Sequence, residues 1–428
     1  MKDRTWLIPL LFLGAILLLI ILSITFVRRE KRLGAQKEVL EVVVVVINKI
    51  KLLSYVFLGL LQAFCLTFSL QAAVLPEDRS DILYHRFDGG GVVIDGPSIL
   101  IRKSIQDTVS ISANYYVDNV TSASIDVVTT ASEYTEQRIE SSMSVDYLRD
   151  KTILSVNYTQ SDENDYSARS AGFNFTQDFF GDLTTISAGY SQGWDTVGMR
   201  GAEDFEEDAA RKQFRFGLSQ ILTKDSLVAI SWETVTDEGY LNNPYRSVRY
   251  RDPTQGRGYT YQSEVYPETR TSDAFAIRGM YYLPYRAAIK AEARIFSDTW
   301  GIEAKNAEIS YTHPIGEHWI VDAKYRTYSQ TKADFFSDLF DVVDQQNFRA
   351  RDKEMGTFGN DSVGLAVSYE QELDWAGIDR FSVSLDVDYI QFDYEDFRDL
   401  SIEGTTLGEE PFYQFDAIVT RFFFSVWY

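Results

Sequence analysis

The last fourteen residues, 415–428, most restrict what this chain can fold into. From Tyr428 back to Ile418, every second residue is apolar, apart from one threonine. A period of two predicts a β-strand, and here one face of the strand is almost wholly apolar. At the end of a soluble chain such a strand would be an exposed hydrophobic edge. The segment therefore favours the closing strand of a membrane β-barrel, with a buried strand of a soluble sandwich as the alternative.

The body of the chain repeats the same alternation. Residues 381–389 place apolar side chains at the odd positions and Ser382, Ser384, Asp386 and Asp388 at the even ones. Similar strands are predicted within residues 108–117, 274–283 and 319–328. Alternation alone also fits a soluble antiparallel sheet with one solvated face. The number of strands, their even length of about ten residues and the asymmetry of their connections favour a membrane barrel.

Short and long connections alternate along the body. The short ones are tight turns such as Arg149-Asp150 and Gly181-Asp182, and the longer ones include residues 118–132, 194–210, 237–270, 331–360 and 396–410. One four-residue connection, Asp298-Thr299-Trp300-Gly301, is short on the long-loop side. The first strand is placed at residues 87–94, before a turn at Asp95-Gly96-Pro97.

These patterns predict an all-β fold. We expect a transmembrane antiparallel up-and-down β-barrel of about 16 strands, within a range of roughly 14–18, with long outer loops and short periplasmic turns. The predicted location is the bacterial outer membrane, after export through the inner membrane. The lipid bilayer and lipopolysaccharide are then the surroundings of the outer surface.

Two apolar runs precede the body. Residues 1–48 are expected to be an N-terminal extension with an apolar segment at 6–27, and residues 49–73 have the basic start and apolar middle of a signal peptide. The barrel then comprises residues 74–428. An inner-membrane helix at 6–27 and a start codon assigned too far upstream are both open interpretations. Cys65, the only cysteine, lies in the second run, so the body has no thiolate metal site or disulfide.

Several segments resemble a known family. Phe87-Asp88-Gly89-Gly90-Gly91-Val92-Val93-Ile94-Asp95-Gly96-Pro97-Ser98 is similar to its opening motif, residues 112–118 and 122–132 to its first long loop, and residues 179–185 to its third turn. This is the bacterial "domain of unknown function 3570" family of uncharacterised predicted outer-membrane β-barrel proteins. The resemblance implies the fold and brings no activity, cofactor or catalytic residue with it. The extension before the signal peptide departs from the family pattern.

The apolar C-terminal face also resembles the aromatic signal by which bacterial outer-membrane barrels are recognised. The resemblance implies that the barrel-assembly machinery is a partner. The side chains that would carry this assembly signal are Phe422, Phe424, Val426 and Tyr428.

The polar faces of the strands predict a heavily charged lumen. A solvated, ion-paired barrel interior is one interpretation, and a selectivity field for ions or a charged solute is the other. The lumen-lining candidates are Arg138, Glu140, Arg215, Glu233, Arg278, Lys290, Glu292, Arg294, Asp322, Lys324, Arg326, Asp386, Asp388 and Arg421.

Two loops carry further candidates. Residues 237–270 are basic and aromatic, and either recognise an anion or sugar or fold inward to pair with lumen acids. Residues 331–360 hold Phe335, Phe336, Leu339 and Val343 at helical spacing, which predicts a short amphipathic helix. The acids between them do not have the spacing of an EF-hand calcium loop. The loop-binding candidates are Arg246, Arg249, Tyr250, Arg251, Arg257 and Tyr259.

Composition excludes some functions. The chain has 41 Lys and Arg against 63 Asp and Glu, a net charge of −22, so no nucleic acid partner is expected. Of three histidines, His85 is placed ahead of the barrel, and His313 and His318 flank the turn at Pro314. We predict no catalytic residues and no cofactor. The expected function is a channel or transporter for small or ionic solutes with weak cation preference. The alternatives are a closed docking barrel for a periplasmic or surface partner and, third, a surface hydrolase.

Overall fold

The computed structural model describes residues 74–122, 134–202, 204–375 and 377–428. The predicted N-terminal extension, the signal peptide and Cys65 lie outside these residues. Within them, no helix has the length and apolar character needed to cross a membrane.

The described residues are almost entirely β-strand. Sixteen strands belong to one sheet, and a short hairpin of two further strands lies in a loop. The strands are β1 (Arg79–Gly89), β2 (Val92–Ile105), β3 (Val109–Ser122), β4 (Tyr134–Arg149), β5 (Thr152–Asp162), β6 (Tyr166–Phe179), β7 (Thr184–Gly198), β8 (Glu206–Thr223), β9 (Ser226–Gly239), β10 (Ser247–Arg251), β11 (Tyr259–Ser263), β12 (Thr269–Tyr282), β13 (Ala288–Asp298), β14 (Glu303–Ile315), β15 (Trp319–Gln330), β16 (Phe358–Trp375), β17 (Ile378–Arg398) and β18 (Phe412–Trp427).

The sheet closes on itself into an antiparallel barrel. Each strand pairs with its neighbours in sequence, apart from β9, which pairs with β12 across the β10–β11 hairpin. The first and last strands complete the ring, with Arg79 opposite Trp427 and Gly89 opposite Ala417. The prediction of a 16-stranded up-and-down barrel is therefore confirmed, and β18 is its closing strand.

The predicted first hairpin is wrong in detail. Asp95-Gly96-Pro97 is not a turn but lies inside β2, and the first strand is β1, which begins eight residues before the predicted segment and overlaps only its first three residues. The turn is Gly90-Gly91, with φ of 58° and 77°. Two consecutive positive φ angles define the tight turn that glycine accommodates best. Gly96 instead allows close approach, since an added Cβ would lie 1.8 Å from the Val117 carbonyl oxygen.

The two faces of the wall differ as the alternation predicted. Outward side chains are large and apolar, for example Ile101, Val156, Ile309 and Leu385, which are all exposed. The strands are longer than the predicted ten residues, ranging from 11 in β1 to 21 in β17. The extra residues of β8, β16 and β17 lengthen the wall, and several of those in β17 face the folded loops described below.

Candidate functional site

The lumen carries all fourteen charged side chains singled out from the sequence. They occupy the strand positions opposite in direction to the exposed apolar side chains, as Asp386 and Asp388 do on either side of the exposed Val387. They are contributed by β4, β8, β9, β12, β13, β15, β17 and β18.

The tightest group of lumen charges joins β15, β17 and β18. Lys324 Nζ lies 2.9 Å from Asp388 Oδ1, and Arg421 Nη2 lies 2.8 Å from Asp386 Oδ2 and also contacts Asp388. Gly364 on β16 makes room for them, because an added Cβ would lie 2.1 Å from Asp388 Oδ1. The sequence analysis missed Gly364, since its role depends on which side chains face it.

The opposite part of the wall is more open. Arg138 donates to Glu140 at 2.6 Å, Arg215 to Glu233 at 2.9 Å and Arg278 to Glu292 at 2.7 Å. These are ladder-like pairs between or along strands, with their guanidinium groups reaching into the lumen. Arg294 Nη2 also lies 4.0 Å from Glu233 Oε1.

Three lumen candidates have no ion pair. Among the described residues, no carboxylate oxygen lies within 4 Å of Lys290 or Arg326. Asp322 accepts a hydrogen bond from the hydroxyl of Thr312. The inner wall therefore combines ion-paired charges with two basic side chains that no neighbouring carboxylate neutralises.

Three loops at the long-loop end fold together, and we call residues 240–268, 331–357 and 399–411 the loop cap. Backbone hydrogen bonds connect the first two loops: Val265 N donates to Arg349 O at 3.0 Å and Arg349 N to Val265 O at 2.8 Å. Phe340 N likewise donates to Arg249 O, and Arg251 N to Phe340 O. The loops therefore form one ordered layer.

The loop cap packs on the inner wall through aromatic side chains. Phe335 and Phe336 of the cap join Tyr394 of β17 and Tyr413 of β18 in one buried cluster, together with Trp300 from the short β13–β14 connection. Tyr394 and Tyr413 point into the lumen, since they continue the inward faces of their strands. The cap therefore covers the mouth beside β13 and β16–β18.

A buried ion cluster holds the three cap loops together. Arg249 is 0% exposed. It donates from Nη1 to Glu410 Oε1 at 2.7 Å and from Nε to the Asp338 carbonyl oxygen at 2.9 Å, and it also contacts the Asp338 carboxylate. Arg351 adds a contact of 3.0 Å to Asp338. Burial alone would raise the pKa of Glu410, but the hydrogen bond and the charge of Arg249, together with backbone hydrogen bonds, outweigh it, and the pKa lies below its usual value.

The structure separates the predicted loop-binding residues. Arg249 faces the interior of the cap and pairs with acids there, which is the inward-folding alternative and not recognition of an external anion. Arg246 pairs with Asp352 at 3.0 Å, and Tyr250 and Tyr259 are half-buried in the β10–β11 hairpin. Of the six loop-binding candidates, Arg251 and Arg257 are the two with exposed side chains.

The predicted helix in residues 331–360 is also wrong. The segment contains only one 3₁₀ turn, Lys353–Met355. Its aromatic side chains have helical spacing but pack against the inner barrel wall from an irregular backbone, so tertiary contacts outweigh the local pattern.

His85 is not ahead of the barrel, as predicted, but inside it on β1. Its Nε2 lies 2.7 Å from Asp118 Oδ1 and 3.1 Å from the Tyr116 hydroxyl, and its ring stacks on that of Tyr116. The first strand was predicted at residues 87–94, across the three glycines. His85 precedes that segment, so it was placed outside the barrel, whereas β1 in fact ends at the first of these glycines.

Beside the cap, the mouth remains open as a cavity of about 820 Å³, which we call the mouth cavity. Its walls are the upper inner faces of β2–β4 and β6–β9 on one side and cap residues on the other. The carboxylates in its lining are Glu136, Glu163, Asp165, Asp195, Asp237, Glu264, Asp352 and Glu354, and the basic side chains are Arg200, Arg211, Arg246, Arg351 and Lys353. Carboxylates therefore outnumber basic groups at the mouth.

Glu264 and Glu163 are two of the cavity carboxylates with a raised pKa. Burial, followed by the charge of Asp352, raises the pKa of Glu264 to about 7. Burial and the charge of Glu136 raise the pKa of Glu163. Glu264 accepts hydrogen bonds from the Tyr266 hydroxyl and from Arg351 N, both at 2.6 Å.

The raised pKa makes the cap sensitive to pH. Folded Glu264 keeps its proton above its ordinary pKa of 4.5, so its contribution to stability is complete below pH 4.5 and is lost as pH rises through about 7. We expect Glu264→Gln to match the wild type at pH 5 and to stabilise the cap at pH 8 by up to roughly 3 kcal/mol. Hydrogen-exchange protection factors of the Val265 and Arg349 amides measure this. Glu268→Gln, an exposed change in the same loop, is the control, and parallel pH curves for all three chains would contradict the prediction.

The closed antiparallel sheet of sixteen strands, apolar outside and charged inside, defines an outer-membrane type of β-barrel. The chain belongs to the family described as "Protein of unknown function (DUF3570)", which matches residues 126–405. The match confirms the predicted family, although the opening motif at residues 87–98 lies before the matched stretch.

Solved structures with similar folds include two described as outer-membrane proteins and a FadL homologue. One is described as a bacterial polysaccharide outer membrane secretin, with 7% identity, a TM-score of 0.44, and coverage of 83% of this chain and 100% of that one. A Pseudomonas aeruginosa FadL homologue has 10% identity, a TM-score of 0.38 and coverage of 82% and 89%. The loop L8 deletion mutant of OmpT from Vibrio cholerae has 10% identity, a TM-score of 0.35 and coverage of 81% and 97%. Among curated proteins, none matches the chain.

Proposed function

We propose that the protein forms a water-filled channel in the bacterial outer membrane, which it reaches after export through the inner membrane. Small or ionic solutes would pass through it with a weak preference for cations. The supporting observation is that Arg215 and Arg278 point into the barrel with side chains that are 61% and 59% exposed. Inward side chains have such exposure only where space for water lies beside them, and a barrel of sixteen strands is wide enough to leave it.

The distribution of charge supports the weak cation preference. Basic and acidic side chains nearly balance along the inner wall, where many are paired. Carboxylates exceed basic groups in the mouth cavity, and the chain as a whole has a net charge of −22. A negative mouth raises the local concentration of cations without binding them strongly in the lumen.

We expect the cation preference to fade as salt rises. The screening length falls from roughly 30 Å at 0.01 M to roughly 3 Å at 1 M, so the mouth charges act over the opening only at low ionic strength. Reversal potentials across planar bilayers, measured in salt gradients at low and at high concentration, test this. Anion preference at low salt would contradict it and would point to the basic wall around Lys290 and Arg326.

A closed docking barrel is the second candidate. It is supported by the aromatic cluster, which fills the mouth beside β13 and β16–β18. Folded protein that gives no conductance in the bilayer experiment would favour this function over the channel.

A further inference from the structure

The mouth cavity has the size and lining of a ligand site. Its volume of about 820 Å³ lies within the range of roughly 300–1,000 Å³ that is usual for small-molecule pockets. Apolar side chains line it beside the charged ones, among them Val120, Val197, Leu241 and Met355. A site that only gathers hydrated ions has no need of apolar walls.

Most of the positive charge around the cavity already has a partner. Arg211 lies 2.6 Å from Asp237, and Arg351 lies 3.0 Å from Asp338 in the cap. Arg246 pairs with Asp352, as described above. These basic groups are therefore not available to neutralise the remaining carboxylates.

Four cavity carboxylates have no basic partner. Within the part of the chain that the structure describes, no Lys, Arg or His nitrogen lies within 4 Å of the carboxylates of Glu136, Asp165, Asp195 or Glu264. Glu136 and Asp165 lie close enough to Glu163 for their charges to act on it. A positively charged ligand would relieve this repulsion.

Glu264 is the strongest single indication of a ligand. Only 4% of the residue is exposed, yet it lines the cavity. Its two hydrogen bonds come from a hydroxyl and a backbone amide, and neither group supplies charge. Burial and the charge of Asp352 outweigh the charge of Arg246 and keep the pKa of Glu264 raised, so a cation in the cavity would favour the charged carboxylate.

Tyrosine side chains orient two of the other carboxylates. The Tyr166 hydroxyl donates to Asp195 Oδ2 at 2.6 Å, and the Tyr245 hydroxyl donates to Asp165. Carboxylates held in this way keep further lone pairs for a ligand, and both aromatic rings line the cavity. Carboxylates together with tyrosine rings are a common environment for organic ammonium groups.

We propose that the mouth cavity binds a small organic amine with more than one ammonium group. One ammonium group lies against Glu136 and Asp165 at the barrel rim, and another lies against Glu264 at the cap. The alkyl part between them packs against the apolar lining. The proposal concerns binding at the mouth and holds for a conducting or a closed barrel.

Calorimetric titration of the folded protein in detergent with spermidine tests the site. We expect saturable binding to the wild type at low salt and no binding of a neutral diol of similar length. The double variant Glu136→Gln/Asp165→Asn should bind spermidine about tenfold more weakly or worse, because charge-assisted contacts are lost.

The control variant Asp107→Asn/Glu317→Gln removes two charges in exposed short turns at the opposite end of the barrel, and its affinity should stay within about twofold of the wild type. Heat-modifiable gel migration establishes that both variants fold. An equal loss of affinity in the two variants would mean that net charge alone attracts the amine. Two results with the wild type alone would overturn the proposal. One is that spermidine shows no saturable binding, and the other is that Mg²⁺ at equal charge concentration displaces it. None of these outcomes depends on conductance, so the channel proposal is tested separately.

Discussion

Replacement of Arg249 by methionine should unfold the loop cap while the barrel stays intact. Arg249 is fully buried and contacts Asp338 in one loop and Glu410 in another. Its removal leaves the buried carboxylate of Glu410 without its countercharge and leaves Asp338 with Arg351 as its close arginine partner. Breaking a buried pair in this way costs about 3–5 kcal/mol. The backbone hydrogen bonds between the β10–β11 hairpin and residues 331–357 are then expected to break, because the ion cluster no longer holds the loops together. We expect chymotrypsin to cut the cap loops rapidly, with the heat-modifiable barrel surviving.

Arg251→Met is the matched control, two residues further along the same strand. Arg251 is 47% exposed and pairs at 3.4 Å with Asp341, which is 76% exposed. Exposed pairs of this kind contribute at most about 1 kcal/mol, so the cap should stay protected. Neutralising the partners as well, in Arg249→Met/Asp338→Asn/Glu410→Gln, should restore part of the protection. Equal protection of Arg249→Met and Arg251→Met would show that the buried ion cluster does not hold the cap.

Removal of the second cap loop should widen the mouth. Gln330 and Phe358 are paired at the ends of β15 and β16, so an Asn-Gly turn can join the strands in place of residues 331–357. The deletion takes away Phe335 and Phe336, which pack on the inward Tyr394 and Tyr413. We expect single-channel conductance to rise roughly twofold or more, because the narrowest water-filled section limits the current.

A shorter deletion in the same loop is the control. Val342 and Val343 are 56% and 51% exposed at the loop tip, away from the aromatic cluster. Removal of residues 342–346 should leave the conductance within about a fifth of the wild-type value, since the tip does not narrow the lumen. If the long and the short deletion conduct alike, the cap does not restrict the passage.

The barrel could be predicted from the sequence because its signals are local. Alternation of side chains with a period of two reports which face of a strand meets apolar surroundings, and this needs no knowledge of distant residues. Phe381–Tyr389 and the terminal aromatic strand are clear examples. The first hairpin was misplaced because Asp95-Gly96-Pro97 has the composition of a turn. The pairing of β2 with β1 and β3 keeps it extended.

The cap could not be predicted, because its order depends on contacts between loops far apart in sequence. Arg249 and Arg251 look equivalent in the chain, and only the folded loops bury one and expose the other. Glu264 lies in a polar stretch and has no local feature that marks it as buried. Trp300 in a four-residue connection gave no sign that it anchors the aromatic cluster.

In the proposed channel, water and small solutes pass the cap along the mouth cavity. The measurement that tests it most directly is block of single-channel current in Ala209→Cys by a charged thiol reagent added from the loop side. Ala209 lines the cavity on β8, and Cys65 is the only native cysteine, so the unsubstituted chain is the control. We expect modification to reduce the current of the variant sharply and to leave that of the control unchanged. Two results would contradict passage along the mouth cavity. The current could be unaffected when Cys at position 209 is modified, or the folded protein could never conduct.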